Sequence, residues 1–218
     1  MRYEQERIAI IQACQYLQSK EYFMGTWGNV SMRIGQHIIM TPSRVDYDSM
    51  ASKDMVVIDM NGDKVEGDRN PTSEKEVHRQ IYCMREDVGA IIHAHTPKAM
   101  ALSATAINEV PCVVEEMSQI IGGGIPMTRE YVPAEQHILL GRAAAEVIGD
   151  RNGVLLRNHG PVACGKDLAE AILVARVIEK ASDIFLSLLG QIKINEIPPK
   201  YVESERYRFL YTYGKEKT

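Results

Sequence analysis

The chain of 218 residues has no surplus of positive charge: 25 lysines and arginines stand against 29 aspartates and glutamates, a formal net charge of -4. The basic residues are dispersed rather than gathered into a stripe, which argues against a nucleic-acid partner. Long apolar runs are missing too. No segment approaches the roughly 20 apolar residues of a membrane-spanning helix, and Met1-Arg2-Tyr3-Glu4-Gln5-Glu6-Arg7 lacks the apolar run of a signal peptide. Cysteine is sparse, with Cys14, Cys83, Cys112 and Cys164 far apart and no C-x-x-C pair. That usage fits a reducing compartment, so a cytoplasmic protein without a membrane partner is expected. Gly122-Gly123-Gly124 matches neither the P-loop nor the dinucleotide fingerprint and reads as a hinge or tight turn. Repeats, low-complexity stretches and internal boundaries are absent, so residues 1–218 are expected to form one domain, ending in an aromatic tail over about 200–218.

What is present is patterned. Ile8, Ile11, Cys14 and Leu17 recur every third residue, predicting an amphipathic helix over residues 3 to 20. Val30 to Ile34 and His37 to Met40 read as a hairpin across Gly35-Gln36, and Met55 to Met60 as a strand turning at Asn61-Gly62 into Lys64-Val65-Glu66. Ser73 and Glu76 have capping-box spacing, predicting a helix to about Arg85. Strands are expected at Val88 to Ile92, Val110 to Val114 and Val154 to Leu156, and helices at 97–106, 134–148 and 167–189, the last closed by Gly190. After the extended break Ile197-Pro198-Pro199 come Tyr201, Tyr207, Phe209, Tyr211 and Tyr213. So aromatic a tail is expected to pack on a neighbour.

The chemistry gathers around Ala90-Ile91-Ile92-His93-Ala94-His95. Side chains alternate along a strand, so His93 and His95 share a face about 7 Å apart at Cα, within reach of one divalent cation. A lone H-x-H also suits two hydrogen-bonded or solvated histidines at a strand end. His159, before Gly160-Pro161 at another strand end, sits on a fixed turn. Glu74 lies in a first helical turn, where exposed N–H groups and the helix dipole favour anions. Three imidazoles and a carboxylate suit zinc, or manganese, cobalt and iron less selectively. His78, one helical turn beyond Glu74, either supports this set or lies on the helix surface. His37 and His137 carry no assigned role. Gly25-Thr26-Trp27-Gly28-Asn29-Val30-Ser31 offers small polar donors that serve a phosphate cradle or an ordinary turn, and Thr41-Pro42-Ser43 repeats the theme.

Gly28-Asn29-Val30-Ser31, Thr41-Pro42-Ser43, Pro71-Thr72-Ser73-Glu74 with His78, His93-Ala94-His95 and Asn158-His159-Gly160, in that order and spacing, resemble the class II aldolase/adducin family. The resemblance covers nearly the whole chain. It implies a three-layer α/β/α sandwich around a largely antiparallel sheet, assembled as a homotetramer with sites at subunit interfaces. It implies one divalent metal ion per subunit, zinc foremost, held by His93, His95 and His159 with Glu74 as ligand and catalytic base. A sugar phosphate would lie against Thr26, Asn29, Ser43, Arg44, Thr72 and Ser73.

Glu at position 74 matches the family's aldolases, whereas its ribulose-phosphate 4-epimerases carry Asp. The implied reaction is cleavage of a ketose 1-phosphate, L-fuculose 1-phosphate-like or deoxypentulose 1-phosphate-like, to dihydroxyacetone phosphate and an aldehyde. The alternatives are a methylthioribulose-1-phosphate dehydratase-like enzyme, an epimerase, or a non-catalytic adducin-like interaction module. Two positions depart from the aldolase pattern. Arg44 stands where those aldolases have glycine, and Glu116 stands where they carry a catalytic tyrosine, as in the family's dehydratases. Tyr213, before Gly214, matches the family's tail tyrosine, so Tyr213 and Glu116 compete as the second acid.

Overall fold

The computed structural model describes residues 1–190 and 193–214; residues 215–218 of the expected tail lie outside the described residues. The first helix, α1 (Glu4–Ser19), forms as expected, but its buried face is Ile10, Cys14 and Leu17 at four- and three-residue steps, while Ile8 of the expected every-third-residue set is exposed. Strands β1 (Asn29–Ile34) and β2 (His37–Met40) form the expected hairpin, and β3 (Val56–Asp59) and β4 (Lys64–Glu66) extend it outward. On the other side of β1 lie β5 (Ala90–His93), β9 (Gly160–Gly165) and β8 (Gly153–Leu156). The resulting seven-stranded sheet runs β4-β3-β2-β1-β5-β9-β8, and its ladders are antiparallel.

Each face of the sheet is covered by its own core. One holds Ile10, Cys14, Leu17, Val30, Ile92, Leu102, Val174 and Ile178, from α1, α3 (Pro97–Ser103), α5 (Leu168–Leu188) and the strands between them. The other joins Val77, Ile81, Leu140 and Ile148 of α2 (Lys75–Met84) and α4 (His137–Ile148) to Ile38, Ile58, Ile91 and Val162. This is the α/β/α sandwich. The run Ala90–His93 is buried throughout because β5 is central, with β1 and β9 on its flanks and helices on both faces.

Several boundaries differ from expectation for local reasons. The capping box does not form: α2 begins at Lys75, with Glu74 in the N-cap position and no side-chain cap. Glu76 instead takes a bidentate hydrogen-bonded pair with Arg79, one turn on, and accepts from Gln80. The strand expected at Val110 to Val114 shortens to β6 (Glu109–Val110), paired with β7 (Ile125–Pro126), and Met117–Ile121 winds as a π-helical turn before the glycine loop. Strand β9 was not expected, and neither was α6 (Pro199–Tyr211). Helix α6 is tied to the π turn by Arg206, which donates to the carbonyls of Gln119 and Ile120. Its tyrosines Tyr201, Tyr207 and Tyr211, and Tyr213 beyond it, remain exposed.

Candidate active site

Three short loops are stitched together beside the end of β5. Ser43 N–H donates to the Asn70 carbonyl, Thr72 N–H to the Thr41 carbonyl, and Val30 N–H to Thr41 Oγ1. These bonds lay the Gly25–Asn29, Thr41–Arg44 and Asn70–Ser73 segments side by side. Gly28 is required here: its φ is +98°, and a Cβ would lie 2.3 Å from the Phe23 ring. Arg44 adopts φ +58°, left-handed backbone that an L side chain seldom takes, so the loop keeps a glycine-like conformation around an arginine.

His93 ends β5, and His95 follows it beyond the strand. His159 comes from the three-residue loop joining β8 to β9, where Leu156 pairs with Gly160 and Asn158 takes the left-handed conformation. Glu74 arrives at the start of α2. The four side chains meet: ligand atoms of Glu74, His93, His95 and His159 all lie within 4.8 Å of one another. His93 Nε2 is 3.1 Å from His95 Nε2 and 3.3 Å from Glu74 Oε2, and His159 Nε2 is 2.9 Å from Glu74 Oε1.

This donor set fits a cation. His93 Nδ1 faces the Pro161 carbonyl at 2.9 Å and must donate to it, so Nε2 carries the lone pair aimed into the cluster. Burial, the largest cause, together with the neighbouring His159 and His95, pushes the His93 imidazole down to about 3, and burial likewise lowers His95, so both favour the neutral, ligating form. Two ligands of one tetrahedral zinc lie about 3.4 Å apart at ordinary bond lengths, close to the spacings found here. Burial works to raise the Glu74 carboxyl, but the histidines and the Asn29 amide more than offset it and hold it well below the usual carboxylate range.

A cleft of about 310 Å³ opens in front of the cluster. It is lined by Thr26, Asn29, Ser43, Arg44, Thr72 and Ser73, and by Glu74, His95 and His159. The six residues expected against a phosphate therefore lie around the same cleft as three of the four expected ligands. His93 lies beneath, fully buried. Trp27 and Ala134 also line the cleft and were not singled out from the sequence.

Asn29 does more than line the cleft. Its amide donates to Glu74 Oε2 at 2.7 Å, and its oxygen meets His78 Nε2, leaving one amide hydrogen for a ligand. His78 is fully buried rather than on the helix surface, with Nδ1 2.7 Å from Ser31 Oγ. The Tyr82 hydroxyl, four residues along α2, lies 2.9 Å from the same Ser31 Oγ. The i, i+4 spacing of His78 and Tyr82 was the available sequence signal for this pair.

Neither candidate second acid lines the cleft of its own chain. Glu116 is half-exposed beside Lys180, whose ammonium holds the carboxyl below its usual range rather than raising it. Tyr213 stacks against Phe209, ring centroids 6.2 Å apart, with the Arg208 guanidinium 5.1 Å from its own ring centre. His37 accepts or donates a hydrogen bond with the Tyr3 hydroxyl, and His137 opens α4; both lie apart from the cluster.

Comparison with known proteins agrees with this geometry. The model of the Class II Aldolase and Adducin N-terminal domain matches residues 8–186. An L-fuculose 1-phosphate aldolase superposes with a TM-score of 0.91 at 29% identity, over 97% of this chain and 99% of that one. YgbL from Klebsiella pneumoniae, whose reaction is left open among aldolase, epimerase and decarboxylase, gives 0.83 at 25% identity over 94% and 100%. An L-fuculose-1-phosphate aldolase from Thermus thermophilus gives 0.69 at 25% identity over 83% and 92%.

Proposed function

The chain belongs to the class II aldolase and adducin N-terminal domain family, and from that premise we propose that it is a metal-dependent aldolase. The substrate is a ketose 1-phosphate of the L-fuculose 1-phosphate or deoxypentulose 1-phosphate kind, cleaved reversibly to dihydroxyacetone phosphate and an aldehyde. The observation that carries this reading is a carboxylate and three imidazoles within 4.8 Å of one another, opening on a cleft lined by small polar loops and Arg44. An adducin-like interaction module has no use for that arrangement.

His93, His95 and His159, with Glu74, would hold one divalent ion, zinc foremost. Bound there, it supplies Lewis-acid stabilisation of the negative charge that develops on the ketose oxygens. The phosphate lies against Thr26, Asn29, Ser43, Arg44, Thr72 and Ser73, where hydroxyls, backbone N–H groups and one guanidinium complement its charge. In the synthetic direction Glu74 takes the proton from carbon 3 of dihydroxyacetone phosphate. The new bond then joins carbon 3 to the aldehyde carbon, and a second acid protonates the aldehyde oxygen. Tyr213 is the first choice for that acid because its side chain is on the exposed surface, whereas Glu116 is paired with Lys180. Because neither lines its own chain's cleft, the acid comes from a neighbouring subunit of a homotetramer. We read residues 1–218 as one domain and the protein as cytoplasmic; among the described residues no helix is long and apolar enough to cross a membrane.

The test uses dihydroxyacetone phosphate in deuterated water. The wild-type protein should exchange the carbon 3 proton, and Glu74→Gln should bind the metal but exchange at least about a hundredfold more slowly. Exchange at the wild-type rate would assign the base to another residue. A panel of ketose 1-phosphates and 5-phosphates identifies the aldehyde half. Dehydration is the second reading, favoured by Glu116 in place of the family's tyrosine. Loss of water without carbon–carbon cleavage would establish it.

A further inference from the structure

The hydrogen bonds behind Glu74 admit one assignment. A carboxylate only accepts, so the Asn29 Nδ2 group donates to Glu74 Oε2 and Asn29 Oδ1 faces His78. An amide oxygen also only accepts, so His78 carries its proton on Nε2. Burial disfavours the charged imidazole, which makes Nδ1 an acceptor and the Ser31 hydroxyl its donor. With the Ser31 hydrogen so committed, the single Tyr82 hydroxyl hydrogen is the donor to Ser31, shared between Oγ at 2.9 Å and the carbonyl at 3.1 Å. Every hydrogen points along the series Tyr82, Ser31, His78, Asn29 toward Glu74. Tyr82, Ser31, His78 and Asn29 are all buried.

Two elements supply this series. His78 and Tyr82 stand on α2, the helix that begins beside Glu74; Asn29 and Ser31 alternate on one face of β1. In the β1–β5 ladder Asn29 is the direct partner of His93. The series therefore fixes the height of α2 against the strand that pairs with the metal-ligand strand. It grips Glu74 by Oε2 and leaves Oε1 toward His159 and the cleft.

We infer that His78 is a positioning residue, which orients Glu74 through Asn29 and is itself set by Ser31 and Tyr82. The inference rests on the reading of Glu74 as base. A purely structural cluster between the same acceptors would run in the same direction but would leave the exchange rate of a folded, metal-loaded protein unchanged. A positioning series needs His78 in one tautomer.

That tautomer is directly observable. In the full-length, zinc-loaded protein labelled with ¹⁵N-histidine, long-range ¹H–¹⁵N correlations should show His78 protonated at Nε2 and bare at Nδ1. A proton on Nδ1, or on both nitrogens, would overturn the inference. The functional arm follows carbon 3 exchange of dihydroxyacetone phosphate. Ser31→Ala and Tyr82→Phe should keep zinc stoichiometry and KM while the saturated exchange rate falls about tenfold. His78→Gln, which retains an N–H donor, should outperform His78→Leu. An unchanged exchange rate in both Ser31→Ala and His78→Leu would overturn the inference. If Glu74→Gln exchanges normally, the base assignment fails whatever the tautomer. If Glu74→Gln is inactive while His78 shows the wrong tautomer, only the present inference fails.

Discussion

The indole of Trp27 stacks nearly parallel to the imidazole of His95, with 12° between the ring planes and centroids 6.2 Å apart. Trp27 is 58% exposed, so it stabilises little core, but it covers one face of an expected metal ligand at the mouth of the cleft. Aromatic stacking of this kind contributes about 0.5–1.5 kcal/mol, or about two- to tenfold in an equilibrium constant. Trp27→Ala should leave the melting temperature nearly unchanged, while a chelator strips the cation faster by about that factor. A stripping rate identical to wild type would leave the stack without a role in retention.

Each of His93, His95 and His159 offers a nitrogen to the cluster, so replacing any one by Ala should cut metal content from about one ion per chain to a small fraction. His93→Ala should also destabilise the fold, since His93 is fully buried and bonded to the Pro161 carbonyl. Elemental analysis and thermal melts separate the two effects. Normal metal content in all three variants would sink the site.

Arg44→Gly separates backbone from charge. A left-handed non-glycine residue costs roughly 1–2 kcal/mol, and glycine's extra freedom in the unfolded chain costs roughly 0.5–1 kcal/mol. Stability should therefore hold or rise slightly. If the guanidinium meets the substrate phosphate, KM for dihydroxyacetone phosphate in the exchange reaction should rise about tenfold with a melting temperature no lower than wild type. An unchanged KM would remove Arg44 from the phosphate site.

Glu74→Gln and Tyr213→Phe proteins should each be slow in aldol cleavage, and subunits of the two, unfolded and reassembled together, should recover activity. Recovery requires that one subunit's Glu74 site accept its neighbour's Tyr213. No recovery in verified mixed oligomers would place the acid in the same chain. The same mixing with Glu116→Gln tests the competing residue.

The parts legible in the sequence were those written locally. The β1–β2 hairpin follows from alternation broken at Gly35-Gln36, and His93 and His95 announce themselves by two-residue spacing at the end of an apolar run. Less visible were features decided by partners distant in the chain. Glu76 looked like a capping residue because its distance from Ser73 is right, yet Arg79 offers a charged, bidentate partner on the same helix. Strand β9 was hidden by Gly160, Pro161 and Gly165, weak strand formers that are acceptable where β5 and β8 pair on either side. The bond from Asn29 to Glu74 depends on where the start of α2 is set against β1, which no local pattern encodes. Helix α6 has no buried residue, so no continuous apolar stripe marked it.

The ligands come from segments beginning at residues 74, 93 and 159, and they converge only when β5 is flanked by both β1 and β9. A partly folded chain, with those ladders open, has no place to hold the cation. Contacts made after the folding barrier is crossed slow unfolding without hastening folding. A cation held there would therefore act as a latch on the completed molecule, lengthening the life of the native state and leaving the search for that state to the bare polypeptide.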